Sequence, residues 1–432
     1  MTTSQDLNAL FKEVYRDKVE NLVPEGIQLL KDIPFSEKEK TGRNLQVAVR
    51  LSDKNNFTFT NDAVSAVRLN QPIPSRYLTA TVAPTTVVLQ AQLSYQQEAK
   101  TASKKKSIEE GTKEAFDSLK LSMDRRLEDA FFNGSADIAP TDEEDRRVGN
   151  PTRNPDVNIV AGTDLVRFFT IMNPLWDSSE DTERIADTEI EIYVGNLGAA
   201  EDRSGVSEGD LIATGITIKS INADRRTLTF DTTDVVLAGT NIETKGSDVV
   251  RFIRRLPIEN SLLGLEQLLT STDSLYGISV TDPSGHWKPG AYAVGGALTV
   301  DHIVKAAEVA VPNGLEGRVC LYINTAAFNA LIAELDKNIQ GFMGLQVPYS
   351  KGIVEVKPSI YVKLANGYLI KPENCKRIGT TDATFNIPGL EDHGPFHRLE
   401  GNNGFTITLY TEQALFIAKP AQCVRLSGIT AE

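Results

Sequence analysis

The longest regular pattern in the chain lies in residues 107–132, where apolar residues recur every three or four positions. This spacing places them on one face of an α-helix. That face comprises Ile108, Thr112, Ala115, Leu119, Met123, Leu127 and Ala130. The opposite face carries Lys113, Asp117, Lys120, Asp124, Arg125 and Glu128. A capping box at Ser107 and Glu110, and a left-handed stop at Asn133-Gly134, predict a helix about 39 Å long.

An alternating pattern, typical of strands, precedes this helix in residues 45–98. It is clearest at 46–52 and at 85–95, and the segment between them is rich in Pro, Thr and Ala. We predict that these two outer stretches are the legs of a long β-hairpin. A two-stranded ribbon is only marginally stable alone in water. It must therefore lie on its own domain or on a neighbouring molecule.

Residues 1–44 contain one short amphipathic helix, with Leu7, Leu10, Phe11 and Val14 on its apolar face. This segment is either a flexible terminus or a strap that lies across a neighbouring subunit. After the long helix, residues 137–156 are acidic and predict a solvated loop. Residues 181–255 then carry short strands separated by turn residues, which indicates a small β-barrel or sandwich.

From residue 256 onward, helical and strand patterns alternate and predict a mixed sheet. A helix at 300–310 follows the capping residue Thr299, and a second helix, capped by Asn324 or Thr325, ends at Leu335. The remaining strands are predicted at 320–323, 353–364, 367–375 and 405–429. The chain as a whole is predicted to be α+β.

Composition narrows the class of protein. A chain of 432 residues forms two to three domains. The formal net charge of −13 argues against a protein whose main task is to grip nucleic acid through its phosphates. The three cysteines, Cys320, Cys375 and Cys423, are far apart and form no CxxC pair, which indicates reduced thiols in a cytosolic setting. There is neither an apolar signal core at the N-terminus nor an apolar run long enough for a membrane helix.

Chemical motifs are absent or weak. The chain has no GxGxxG, GxxxxGK[ST], HExxH, GxSxG or CxxC motif. The weak metal candidates are Asp392, His393 and His397, together with the acidic run at 142–145, which is better explained as solvated. The basic run at 104–106 faces solvent, balances a neighbour's acids, or contacts nucleic acid. We predict no catalytic, cofactor-binding or metal-binding residue, and no cofactor.

The order of these elements resembles the major capsid protein of tailed bacteriophages, which has the Hong Kong 97-type fold. Specific stretches support the resemblance, and they are RRLEDAFFNG at 125–134, GLEQLL at 264–269, YGISV at 276–280, GGALTVDHIVKAA at 295–307 and TLYTEQALFIAKPAQCVRLSGI at 408–429. Each stretch alone is weak, whereas the ordered set covers nearly the whole chain.

The resemblance implies a division of the chain into five parts. These are an N-terminal arm at 1–44, an extended loop at 45–98, a peripheral domain at 99–180 and 379–405 with its spine helix at 107–132, a β-barrel insertion at 181–255, and an axial domain at 256–378 and 406–432. Residues 379–405 would also form the loop at local three-fold contacts.

The resemblance further implies a structural protein, not an enzyme, that assembles as pentamers and hexamers into an icosahedral shell around double-stranded DNA. Its partners would be copies of itself, a separate scaffolding protein, a portal and a decoration protein, with only weak contact to DNA and none to membrane. It would be assembled in the host cytoplasm and reside in the virion. Two alternatives stay open, an encapsulin-like nanocompartment shell and a hydrolase with an accessory β-barrel.

Overall fold

The computed structural model describes most of the chain, and the following account is confined to those residues. They are 26–36, 44–53, 57–59, 70–71, 73–94, 106–134, 137–140, 156–160, 190–194, 211–216, 218–222, 227–231, 250–255, 262–282, 285–334, 345–385, 396–398 and 404–430.

Strands outnumber helices in this part of the chain. The helices are α1 (Leu29–Asp32), α2 (Lys106–Asn133), α3 (Leu265–Thr270), α4 (Val300–Ala310) and α5 (Thr325–Glu334). The strands are β1 (Phe35–Ser36), β2 (Leu45–Ser52), β3 (Arg76–Val82), β4 (Thr85–Ser94), β5 (Asp137–Pro140), β6 (Asp156–Val160), β7 (Ile190–Val194), β8 (Leu211–Ile216), β9 (Ile218–Asn222), β10 (Thr227–Asp231), β11 (Val250–Arg255), β12 (Ser274–Leu275), β13 (Ile278–Ser279), β14 (Gly290–Ala297), β15 (Gly317–Asn324), β16 (Leu345–Tyr349), β17 (Gly352–Ser359), β18 (Gly367–Ile370), β19 (Cys375–Thr384), β20 (Phe396–Arg398), β21 (Gly404–Ile417) and β22 (Val424–Thr430).

Helix α2 forms where the apolar repeat predicts it and extends the prediction by one residue at each end. Its predicted apolar residues Leu119, Met123 and Leu127 are buried in the main core. Gly134 ends the helix in the left-handed region, at φ +87°, and donates its N–H to the carbonyl of Ala130. The prediction of the helix is therefore confirmed.

Two larger sheets carry the architecture. The six-stranded sheet has the order β14-β22-β18-β15-β17-β16 and mixes parallel with antiparallel pairs, as predicted. Helices α4 and α5 cover one of its faces with a core of small and branched residues. The second sheet has the order β1-β19-β21-β20, and β4 pairs along the other edge of β21. Helix α2 packs against β4 and β21 of this sheet and, at its C-terminal end, on α3.

The predicted pairing of the hairpin is wrong. Strand β2 pairs with β3, with Leu45 opposite Val82, whereas β4 pairs with β21 over its whole length. The second leg therefore comes from the Pro-, Thr- and Ala-rich segment that we predicted as a connector. Ala80 and Val82 are buried, so period-two burial specifies this leg although its side chains are small. Proline at position 84 separates β3 from β4.

The predicted small β module is larger than residues 181–255. Its backbone forms two antiparallel sheets, with the orders β5-β11-β7-β8 and β6-β10-β9. Strands β5 and β6 come from residues predicted as the ends of a solvated loop, so that prediction is wrong at 137–140 and at residue 156, where β6 begins. The four strand segments predicted in the module are present as five strands, β7 to β11, because the single segment predicted at 211–221 contains both β8 and β9. The acidic run at 142–145 lies outside the described residues.

Two of the predicted domain boundaries fall inside strands. The boundary at 378/379 lies within β19, and the boundary at 405/406 lies within β21. The chain instead crosses between the two large sheets at short 3-10 turns, Pro372–Asn374 and Pro420–Gln422. The strand pattern runs without a break through β21, so the sequence does not indicate the position at which the chain passes from one sheet to the other.

Candidate assembly surface

The β2–β3 hairpin exposes large apolar side chains away from its base. We call Phe57, Phe59, Ile73 and Tyr77 the tip cluster; their exposed fractions are 69%, 92%, 55% and 61%. The rings of Phe57 and Phe59 stack with centroids 6.3 Å apart. The Asn70 N–H donates to Thr58 Oγ1 at 3.0 Å, which holds the two legs together beyond the last strand residues. Aromatic surface this exposed marks a site of contact with another macromolecule.

The paired strands of the same hairpin are fixed to the body along one face. One face of the ribbon, which includes Leu51, Ala80 and Val82, is buried in the main core. The Thr81 N–H donates to the carbonyl of Tyr276 at 2.9 Å. Arg76 pairs with the buried carboxylate of Asp282 at 2.7 Å. The hairpin therefore has paired strands that lie on the body and an exposed apolar tip.

Part of the predicted N-terminal arm is also fixed to the body, which corrects the prediction of a flexible terminus or a strap over residues 26–36. Leu29 and Ile33 are fully buried. Arg377 donates its Nε–H to the carbonyl of Ile33 at 2.7 Å, and β1 pairs in parallel with β19. The predicted amphipathic helix near Leu7 lies outside the described residues.

Glu128 of α2 holds this segment through its carboxylate. Oε1 accepts the backbone N–H groups of Gln28 and Leu29 at 2.8 and 2.6 Å, and Oε2 accepts that of Leu30 at 2.9 Å. The three donors are the otherwise unsatisfied N–H groups at the start of α1. We call this arrangement the Glu128 clasp.

Burial governs the chemistry of the clasp. Desolvation raises the pKa of Glu128 to about 7, against the three N–H donors, which favour the charged form, and with a smaller contribution from the nearby carboxylate of Asp32. Asp32 itself accepts from Lys357 Nζ at 2.7 Å and from the hydroxyl of Tyr322. The clasp thus joins α2 and the six-stranded sheet through the N-terminal segment.

The prediction missed this role for Glu128 and placed it, with Arg125, on a solvent-facing side of α2. Both side chains are buried, because residues 26–36 and the loop after β17 cover the last turns of the helix on all sides. A usable signal was present in the sequence. Ala130, Phe131 and Phe132 are consecutive apolar residues at the end of the helix, and they point in different directions.

A second buried network joins α3 to the six-stranded sheet. Lys363 Nζ donates to Glu266 Oε2 at 2.8 Å, and Asn366 Nδ2 donates to Glu266 Oε1 at 3.4 Å. Arg425 donates to Asn366 Oδ1 at 3.1 Å. A charge pair this deeply buried requires well-oriented partners. The network fixes the end of α2, through α3, on the sheet that carries α4 and α5.

The weak chemical candidates fall largely outside the described part of the chain. Asp392, His393 and the basic residues 104 and 105 lie outside the described residues, and for His397 only the backbone, in β20, is described. Within the described part of the chain, no group of three His, Cys, Asp or Glu is placed to hold a metal ion. No helix there is both long and apolar enough to cross a membrane.

An open cavity of about 410 Å³ lies at the start of β15 and β17, between Arg318 and Ile353. Its charged pair is already satisfied, because Arg318 Nε donates to Glu355 Oε2 at 2.8 Å. The nearby thiol of Cys320 is not activated, since burial raises its pKa to about 11. The described residues therefore give this cavity no paired acid and base and no ready nucleophile.

Comparison with known proteins places the fold. No family model and no curated protein matches the sequence. Among solved structures, the capsid asymmetric unit of cyanophage A-1(L) matches 100% of this chain and 99% of its own, with a TM-score of 0.50 at 9% identity. The chain has the fold of a bacteriophage capsid protein. The resemblance inferred from the sequence is confirmed at this level.

Two further matches have lower scores. The capsid of a native GTA particle covers 98% of this chain and 96% of its own, with a TM-score of 0.49 at 9% identity. The SrpI encapsulin of Synechococcus elongatus PCC 7942 covers 100% and 97%, with a TM-score of 0.40 at 8% identity. The capsid fold is therefore assigned from the cyanophage match, with its TM-score of 0.50.

Proposed function

We propose that this chain is a structural major capsid protein, which assembles as pentamers and hexamers into an icosahedral shell around double-stranded DNA. The observation that carries the proposal is the β2–β3 hairpin, whose strands are buried on one face and whose tip cluster is exposed. A ribbon of this kind is stabilised fully only when its far end lies on a partner. The capsid fold makes another copy of the same chain the natural partner.

Burial of the tip cluster on a neighbouring subunit contributes favourable free energy to each contact between subunits. Complete burial of one Phe side chain contributes about 1.5–3 kcal/mol. Phe57 and Phe59 together therefore contribute roughly 3–6 kcal/mol per subunit if both become buried. This is modest for one pair of subunits, because association itself costs several kcal/mol. In a closed shell every subunit gives and receives such a contact, so modest interfaces add up.

The proposed architecture is of the Hong Kong 97 type, with parts adjusted to the strands. The hairpin, residues 45–82, is the extended loop, and α2 is the spine of a peripheral domain that includes β4 and β19 to β21. The six-stranded sheet with α4 and α5 is the axial domain, which we assign to the five-fold and six-fold positions. The module formed by β5 to β11 is an inserted barrel, and residues 1–25 form the N-terminal arm.

The proposed partners and location of the chain follow from its role in a shell. The partners are other copies of the chain, a separate scaffolding protein, a portal and a decoration protein, and the shell is assembled in the host cytoplasm and becomes part of the virion. The net charge of −13 suits an enclosing wall, since an acidic wall does not bind the packaged polymer tightly. We assign the chain no catalytic activity, cofactor or membrane contact.

The experiment that tests this proposal changes the tip cluster alone. The double variant Phe57→Ser/Phe59→Ser is compared with the wild type and with Val309→Ser, which removes one half-exposed apolar residue from α4. We expect all three subunits to unfold at the same urea concentration, because the changed side chains are exposed. Only the tip variant should fail to form closed particles in electron micrographs of cells that make the full set of head proteins.

Two results would contradict the proposal. Normal shells from the tip variant would show that the tip cluster does not join subunits. A wild-type chain that stays a compact monomer, even with the other head proteins present, would favour an enzyme over a shell protein.

A further inference from the structure

The two crossings between the large sheets carry the same short sequence. Residues 371–377 are KPENCKR and residues 419–425 are KPAQCVR, so both follow the pattern Lys-Pro-x-(Asn/Gln)-Cys-x-Arg. The first connects β18 to β19 and leads from the six-stranded sheet to the five-stranded sheet. The second connects β21 to β22 and leads back. The three cysteines show no pattern when only their spacing is considered, and the repeat becomes visible when their flanks are aligned.

The two crossings also have the same backbone structure. In each, proline begins a 3-10 turn, and the cysteine that follows returns to extended backbone, with φ −105° and ψ 139° at Cys375 and φ −106° and ψ 142° at Cys423. Each cysteine donates its N–H to the carbonyl of the proline three residues before it. Equivalent atoms of the two cysteines are therefore held by equivalent turns.

The crossings lie side by side and are bonded to each other. The Ala418 N–H donates to the carbonyl of Asn374 at 2.8 Å. Asn374 Nδ2 donates to Gln422 Oε1 at 2.7 Å, and these two residues hold the same place in the repeat. The chain thus passes between the sheets twice at one point, in opposite directions. We call this point the crossing pair.

The two cysteines of the crossing pair are buried in the same hydrophobic core. Cys375 and Cys423 are both buried and belong to the same hydrophobic cluster. A hydrogen bond between the two thiols, together with burial, raises the pKa of Cys375 well above its usual range. Two cysteines at equivalent positions of two turns that are hydrogen-bonded to each other are placed for a disulfide to form with little backbone movement.

We propose that Cys375 and Cys423 are a disulfide site, which closes when the chain equilibrates with a disulfide oxidant of the oxidised-glutathione class. A thiolate from one cysteine attacks glutathione disulfide and forms a mixed disulfide, with one glutathione thiol leaving. The second cysteine then attacks the mixed sulfur, and the second glutathione thiol leaves. The two cysteines lose two electrons and two protons, and two glutathione thiols are produced.

The bond would tie together both passages of the chain between the sheets. The two passages of the chain could then no longer move apart at the crossing pair without breaking a covalent link. Because the thiols are buried, oxidation of the folded chain is slow, so the reduced form persists in a reducing compartment. This site is independent of the proposed role of the tip cluster.

The test refolds the full wild-type chain from urea in a series of glutathione redox buffers, so that burial does not block access to the thiols. The products are quenched with acid, alkylated in denaturant and mapped by mass spectrometry without reduction. A parallel sample is kept unfolded in urea throughout. We expect a linked peptide containing Cys375 and Cys423, formed at a ratio of oxidised to reduced glutathione at least about tenfold lower than the unfolded sample requires.

The third cysteine supplies an internal control. Cys320 should remain alkylatable, and the variant Cys320→Ala should give the same linked peptide. Complete alkylation of Cys375 and Cys423 in the refolded chain would overturn the proposal, as would a linked peptide containing Cys320. The wild-type result decides the question by itself, so it does not depend on how well a variant folds.

Discussion

Replacement of Glu128 by glutamine tests the clasp that ties the N-terminal segment to α2. Glutamine keeps one acceptor oxygen, which takes the place of Oε1 and its two bonds to Gln28 and Leu29. Its amide nitrogen takes the place of Oε2 and faces the N–H of Leu30, so a donor meets a donor, whereas either oxygen of the neutral carboxyl can still accept that N–H. The loss of one buried bond costs about 1–3 kcal/mol. We therefore expect Glu128→Gln to be destabilised by this amount at acid pH.

The difference in the free energy of unfolding between the wild type and Glu128→Gln should shrink as the pH rises. The pKa of Glu128 is raised from 4.5 to about 7, so between these values the folded state binds more protons than the unfolded state. Stability conferred by the neutral carboxyl is present below pH 4.5 and is lost as the pH rises through 7. At 1.36 kcal/mol per pKa unit, the loss approaches about 3 kcal/mol. Glutamine does not titrate, so near pH 8 the variant should equal or exceed the wild type.

Urea unfolding of the unassembled subunit at several pH values measures this difference. The control is Asp117→Asn on the exposed side of the same helix, which should follow the wild type. Hydrogen exchange of residues 26–36 gives a local measure, and these amides should exchange faster in Glu128→Gln at acid pH. A constant gap between wild type and Glu128→Gln from pH 4.5 to 8 would refute the reasoning about burial at the clasp.

Three further predictions concern packing and helix ends. Gly379→Ala should destabilise the subunit by roughly 1–3 kcal/mol, because the new Cβ would lie 1.9 Å from a backbone oxygen of β21, whereas Gly296→Ala meets nothing within 4 Å and should be neutral; urea unfolding of the pair decides this. Lys363→Met leaves the buried Glu266 carboxylate without its ammonium partner and should cost about 3–5 kcal/mol, so an unchanged unfolding midpoint would count against the network. Thr299→Ala removes the side-chain acceptor for the His302 N–H at the start of α4 and should cost about 1 kcal/mol, with faster hydrogen exchange confined to the first turn of that helix.

The parts of the fold that the sequence predicts are those in which local pattern and burial agree. Helix α2, the cap at Thr299 and helices α4 and α5 follow from periodicity and capping residues alone. Asn324 is the residue that caps α5, since its Oδ1 accepts the N–H of Ala326 at 2.9 Å, which decides between the two predicted caps. Each of these features depends on residues close together in the sequence.

The features that the sequence did not predict depend on distant residues. Strand β4 alternates as a hairpin leg does, and only its partner, β21, distinguishes the two roles. The clasp joins Glu128 to residues about one hundred positions earlier. The sequence of a helix does not by itself indicate whether a charged side chain on it is buried. The crossing pair was readable as a repeat, but only the structure shows that its two turns lie side by side. Long-range pairing was therefore the missing information in all three cases.

The most direct test of a shell role is a cryo-electron microscopy map of particles assembled by the wild-type chain. The account predicts closed icosahedral particles in which the Phe57 and Phe59 rings are buried on an adjacent subunit. Particles in which both rings remain exposed to solvent, or a chain that forms no ring or shell even with the other head proteins present, would contradict it.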